Sequence, residues 1–230
     1  MRLAILLCVT VCAAFPAEAL DLSQRPESCE RIATAQYDNC SIANIFRCPG
    51  EQAAFWIETL DADSILTIET RNADHGSQSI VFVGQDFSMR LVQSKAHPRD
   101  TILNGSAADT IVGELDMFGM VRPITGETRY SHAGETVVLA GETFARISFV
   151  GTVELPPPMP ETVGDGTFLY SERLDLLVEE VVRADVGGVI DASQLAHLAL
   201  TGQDGFGDET PGYGCGELSG LPLLETEAPA

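Results

Sequence analysis

Positive charge is scarce in this chain: 12 arginines and a single lysine, Lys95, stand against 34 acidic residues, for a net charge of −21. Phosphate backbones and anionic lipid are bound by neutralising their charge with Lys and Arg, so a surface this acidic repels both. Nucleic acid is excluded as an expected partner. The skew towards arginine fits a GC-rich bacterial genome, and the acidity itself fits an exported protein kept soluble by self-repulsion.

Catalytic signatures are missing as well. The chain has no G-x-S-x-G nucleophile elbow, no P-loop and no G-x-G-x-x-G dinucleotide loop. Its histidines, His75, His97, His132 and His197, lack the i, i+4 partner of a zinc protease. Asp74 adjoins His75, with Ser77 and Ser79 nearby, but neighbours on an extended strand face opposite sides. A glycosidase would need two carboxylates at a set separation, which spacing along the chain does not specify. No catalytic residue, cofactor-binding residue or metal ligand is therefore assigned.

Long apolar runs are absent too. The longest, Leu3 to Phe15, is 13 residues, whereas crossing a hydrocarbon core takes roughly 20. Behind Arg2 and ahead of Ala17-Glu18-Ala19, that run reads as a secretory signal peptide spanning 1–19, cleaved after Ala19. Cys8 and Cys12 follow the bulky Leu7 and Val11, which argues against lipidation. The mature chain is expected to be soluble or peripheral, periplasmic or secreted. Its charge is unchanged at −21, since Arg2 and Glu18 leave together.

Four cysteines survive cleavage: Cys29, Cys40, Cys48 and Cys215. In an oxidising compartment an even number reads as two disulfides with three possible pairings. The expected one ties two N-terminal cysteines locally and joins the third to Cys215. Such a long loop would constrain the unfolded chain by roughly 4–5 kcal/mol in the chain-entropy account. Zinc wants C-x2-C spacing, which is absent.

The body reads as strands and turns. A short helix is expected over 30–37 behind Ser28 as N-cap. Residues 53–60 and 65–70 are aromatic and β-branched around the turn-forming Asp61 to Ser64, a hairpin. Residues 79–83 and 87–93 repeat the plan around Gly84. Between Thr110 and Leu155, Gly-Glu-Thr recurs at Gly126, Gly134 and Gly141. Glycine in each turn, solvated Glu and Thr opening the next strand explain this better than a carboxylate ladder. Pro156 to Pro158 and Pro160 form a connector. A strand follows over 167–170.

Residues 172–183 carry two signals. Leu174, Leu177, Val178, Val181 and Val182 share a helical face, whereas the flanking Ser171 to Arg173 and Gly187-Gly188 favour hairpin pairing into 189–200. The strand reading is preferred. The glycine-rich 202–216 holds Asp204, Asp208 and Glu209, but no EF-hand pattern, and reads as a loop delivering Cys215. On the strand of Phe55 and Trp56, one of the two must leave the core unless both faces are covered.

The expected fold is mainly β: an antiparallel meander forming a barrel, half-barrel or sandwich, one disulfide-stapled domain over 20–217 with a frayed tail at 218–230. Three functions follow. The first is an exported, non-enzymatic protein of the bacterial envelope that binds a small apolar ligand or a protein partner. The second is a secreted hydrolase, which requires His75 or His132 beside an acid in a pocket. The third is a calcium-stabilised surface module. Protein recovered from its host should begin at Leu20 with its four cysteines oxidised. Intact-mass measurement checks this, and a chain that keeps Met1 with free thiols would overturn export.

Overall fold

A computed structural model of the chain describes residues 24–51, 53–157, 161–186 and 189–215. Residues 1–23, which include the expected signal peptide, the expected tail at 218–230 with 216–217, and residues 52, 158–160 and 187–188 lie outside the described residues.

Turns short enough to bring each strand beside the last build an antiparallel meander. Its strands are β1 (Glu30–Tyr37), β2 (Ser41–Arg47), β3 (Phe55–Leu60), β4 (Ile65–Arg71), β5 (Ser77–Phe82) and β6 (Phe87–Gln93), then β7 (Ser106–Met117) and β8 (Met120–Ser131). After them come β9 (Thr136–Leu139), β10 (Glu142–Glu154), β11 (Thr162–Ser171), β12 (Leu176–Val186) and β13 (Val189–Leu200). One helix, α1 (Pro98–Asn104), interrupts the series. Proline opens it and the left-handed Gly105 closes it, the positions each residue favours at a helix end. No helix among the described residues is long and apolar enough to cross a membrane.

The meander closes. β13 pairs with β1, β10 bridges β8 to β11, and twelve strands form a continuous antiparallel barrel. β9 is the remaining strand, paired along the first residues of β10. Closure leaves the ring no free edge.

Residues 30–37 are a strand, where a helix was expected. Ala33, Ala35 and Tyr37 face the core, while Thr34 and Gln36 on the opposite face are also buried. Residues 33–37 thus alternate apolar and polar as a half-exposed strand does, yet both faces are covered. The loop 202–215 supplies the outer cover. Its Gly207 and Gly212 N–H groups donate to Thr34 Oγ1 (3.0 Å) and Gln36 Oε1 (2.8 Å), and its Asp208 carbonyl accepts from Asn44 Nδ2 (3.1 Å).

The disulfides, Cys29–Cys48 and Cys40–Cys215, staple this region at both ends. Cys29 and Cys48 flank the Glu30↔Arg47 pair at the open end of the β1–β2 hairpin, and Cys40 sits in its turn. Bonds of this kind fit an oxidising compartment, the cell envelope or the medium. The local bridge also answers the question posed by Trp56. Phe55 faces inward, and Trp56 packs outward with Phe46 and the buried Cys48.

Of the three Gly-Glu-Thr copies, Gly134 and Gly141 are left-handed turn residues, but Gly126 lies inside β8. A Cβ there would stand 2.3 Å from the Thr152 carbonyl oxygen, so close strand approach explains that glycine.

Residues 176–186 form a strand whose sequence looks helical for two reasons. Leu176 and Val178 pack with Ala35 and Ile45 in one cluster, whereas Leu177 packs with Tyr130 and Ile147 in another, so both faces are apolar. The register then slips: Phe168 pairs with Glu179 but Thr167 pairs with Val181, and Glu180 is bulged out. A bulge puts one extra residue into the period of two. β12 pairs with β13 only from Val181 onward. The half from Leu176 to Glu179 therefore stays paired with β11 alone, and Leu176 to Val178 are buried on both faces.

At the β7–β8 turn, Phe118 and Gly119 are both left-handed (φ 56° and 77°), and Phe118 is 77% exposed. A bulky residue is strained there, and Asn-Gly is the favoured pair. Phe118→Asn should raise stability by about 0.5–1 kcal/mol, measured as a higher denaturation midpoint. A lower midpoint would show that the exposed ring contributes packing.

Candidate functional site

The row Ile45, Ile57 and Glu69 runs across β2, β3 and β4 on the inner face. Two residues beyond Glu69 stands Arg71, only 6% exposed. Its guanidinium forks onto Glu69, with Nε to Oε1 at 2.8 Å and Nη2 to Oε2 at 2.9 Å, and Nη2 also reaches Glu179 Oε1 at 3.2 Å. Ser77 Oγ donates to Glu69. These groups bound a cavity of about 160 Å³ whose walls include Tyr37, Ala43, Leu177 and Val178 and whose rim holds Asn39, Ser41 and Ser193.

Burial governs the electrostatics of this interior. It pushes the Glu179 carboxyl above its ordinary range, although Arg71 opposes that. It would lower Arg71, but the adjoining Glu69 and Glu179 hold the guanidinium firmly charged. The Tyr37 hydroxyl is pushed up by burial and by the Glu179 charge, so it stays protonated. About a third of the Glu179 side chain is accessible, and Glu179 lines the cavity.

A second cluster lies at the turn that follows β4. Asn72 Oδ1 accepts from the N–H groups of Asp74 and Gly76, which sets up a tight loop. A Cβ on Gly76 would lie 2.0 Å from the Ser94 carbonyl oxygen, so only glycine lets this loop dock. The loop holds His75 in a left-handed conformation, stacked on Phe55 with ring centroids 4.5 Å apart. Asp175, left-handed in the β11–β12 turn, receives the imidazole: His75 Nε2 and Asp175 Oδ1 are 3.2 Å apart. The same oxygen accepts from Tyr170 Oη at 2.8 Å and from Arg99 Nη2 at 3.2 Å. A carboxylate only accepts, so His75 carries its proton on Nε2.

Burial holds the His75 imidazole below its ordinary range despite the carboxylate beside it, so the contact joins a neutral ring to an anion. For Asp175, burial acts upward, but the bonds from Tyr170 and His75 outweigh it and keep the carboxyl low. Burial and the bond to Asp175 push the Tyr170 hydroxyl up to about 12. The adjoining pocket, about 130 Å³, is lined by His75, His97, Arg99, Asp100, Tyr170 and Asp175 together with Ala73, Asp74 and Pro98. Three left-handed non-glycine residues, His75, His97 and Asp175, meet there. Strain of this kind concentrates at functional sites.

The structure brings His75 beside an acid in a pocket that His97 also lines, and places His132 and His197 elsewhere. His132 Nδ1 contacts the Arg146 carbonyl and His197 Nε2 the Asp204 carbonyl, while His97 caps α1 near Asp100. Ser77 binds Glu69 and Ser79 binds Thr70, both away from His75. In the glycine-rich loop, Asp208 contacts Gln36 and Glu209 lies near Arg31. Among the described residues no three His, Cys, Asp or Glu side chains are grouped to hold a metal. Sequence reasoning missed Arg71, Glu69, Glu179, Tyr170 and Asp175. The available signal was charge inside strand patterns: Glu179 interrupts an apolar run, and Glu69 and Arg71 alternate with Thr70.

No protein-family model matches the chain, and no curated protein matches it. Among solved structures, it is similar to the crystal structure of the hypothetical lipoprotein YmcC from Escherichia coli (K12), at 13% identity over 77% of this chain and 90% of that one, with a TM-score of 0.41. So distant a likeness carries no argument about either.

The unfolded chain titrates His75 near pH 6.5, whereas the folded chain holds it neutral to lower pH. As pH falls, the unfolded state takes the proton first. The His75 contribution to stability is thus full above about pH 6.5 and is lost as pH falls towards the depressed folded-state value. His75→Asn keeps the tolerance for left-handed backbone and does not titrate. It should flatten the slope of unfolding free energy between about pH 6.5 and 5 by up to ~1.4 kcal/mol per unit, measured by urea titration. An unchanged slope would show that the ring is not held neutral.

Proposed function

We propose that this chain is an exported, non-enzymatic protein of the bacterial envelope whose barrel interior binds a small ligand. The observation that carries the reading is the cavity of about 160 Å³ between β1–β4 and the first half of β12, lined by aliphatic side chains together with Tyr37, Asn39, Ser41, Thr59 and Ser193 and floored by Arg71, Glu69 and Glu179. An engineered cavity of about 150 Å³ accepts a molecule the size of benzene, so the space suits a ligand of five or six heavy atoms. Charged groups on the floor favour an amphipathic molecule over a purely apolar one, because burying a charge against hydrocarbon alone is costly. Export is supported by the leader pattern in 1–19 and by the disulfides.

Hydrolysis at His75 is a second reading, favoured by the His75–Asp175 contact. The pocket offers a base, but among the described residues no Ser, Thr or Cys lines it, so a Ser-His or Cys-His route has no nucleophile there.

Native mass spectrometry of protein purified from its source compartment tests the main reading. The wild type should retain a small non-covalent mass. Ala43→Leu, which grows a side chain into the cavity, should lose it while keeping the circular dichroism of the folded chain. If the wild type carries no added mass, or if Ala43→Leu carries the same mass, the ligand lies elsewhere or does not exist.

A further inference from the structure

We infer that the molecule held in the barrel interior is a small organic cation, an alkylammonium whose charged head sits against Glu179 and whose short apolar tail lies along Ile45, Ile57 and Val178. The inference rests on the reading that the interior is a ligand site. Its basis is a charge imbalance. The charged side chains that face the cavity are Glu69, Arg71 and Glu179. Arg71 is committed to Glu69 through two parallel bonds, at 2.8 and 2.9 Å, and Ser77 Oγ adds a third bond to that carboxylate. Glu179 shares only a longer contact, 3.2 Å, with the same guanidinium. One cation thus faces two anions, and the second carboxylate lies on the side open to the cavity.

A carboxylate whose one cationic partner is already committed to a second carboxylate is only partly compensated, which is unfavourable where burial strips away its water. Burial accordingly raises the Glu179 carboxyl, and a bound cation would remove that penalty. A hard metal ion fits poorly, since calcium takes six to eight oxygens, and most of the oxygen donors on the floor are already occupied. An ammonium head needs three acceptors. Glu179 supplies one, and the Asn39, Ser41 and Tyr37 side chains on the wall and rim offer others. An anion would meet the excess negative charge and is disfavoured. The whole-chain charge of −21 acts in the same sense, because a strongly acidic protein raises the local concentration of cations.

The test uses the full mature chain, stripped of small molecules by dialysis, with two probes of one shape: n-butylammonium chloride and 1-butanol. Titration is followed by amide chemical shifts of residues lining the cavity and by calorimetry. The cation should bind about tenfold or more tightly than the alcohol, the scale of a charged hydrogen bond. Glu179→Gln should abolish the preference, leaving the two probes equal. The wild-type comparison stands alone if that variant fails to fold. Equal binding of both probes to the wild type overturns the cation assignment but leaves the interior as a ligand site. Shifts confined to surface residues, or none at all, overturn the cation assignment too, and the retained mass in the native spectrum then decides separately whether the interior binds anything.

Discussion

The interior of this barrel depends on one strand leaving its neighbour. β12 runs beside β13 as far as Val181, and at the bulge formed by Glu180 it parts from it. Leu176, Leu177 and Val178 then become buried in succession, and burying each aliphatic side chain contributes roughly 1.5–3 kcal/mol. Neighbouring side chains point to opposite faces, so such a run is stable only where both faces are covered. The walls of the barrel provide both covers. The same excursion carries Glu179 to Arg71 and Asp175 to His75, so one segment completes both polar clusters.

Those clusters are held in tension with their surroundings. Removing one member of a buried ion pair typically costs about 3–5 kcal/mol, because the partner is left charged without a mate. Arg71 is the single cation on the cavity floor, and the two carboxylates around it have few other sources of compensation. Outside the barrel, a related rule shapes the β1–β2 hairpin. Buried polar groups must find hydrogen bonds, and the loop that ends at Cys215 supplies them to Thr34, Gln36 and Asn44. The Cys40–Cys215 bond holds that loop in place.

Much of the strand content was legible from local pattern. The hairpins around Asp61 to Ser64 and Gly84 stand where alternation and turn residues put them, because turn chemistry and a period of two are properties of a few consecutive residues. β1 was read as a helix from the local cap signal at Ser28, although residues 33–37 alternate apolar and polar. Thr34 and Gln36 look solvent-facing in sequence, and their burial depends on a loop more than 160 residues later. β12 resembled a helix because two buried faces and a bulge together mimic a longer period. Gly126 looked like a turn because nothing local reveals that Thr152 passes over it.

The candidate site was less legible still. His75 meets Asp175 across 100 residues, and Arg71 meets Glu179 across 108. Spacing along the chain holds no record of such pairs. Composition and short-range pattern were enough to establish an acidic, β-rich, cysteine-bearing chain, because hydrophobicity, turn preference and charge act over a few residues. Which side chains face inward, which cysteines bond and which charges share a cavity followed from the closure of the sheet and the parting of β12 from β13. Those depend on strand register and on the covering of both faces, which arise only once distant segments pack together.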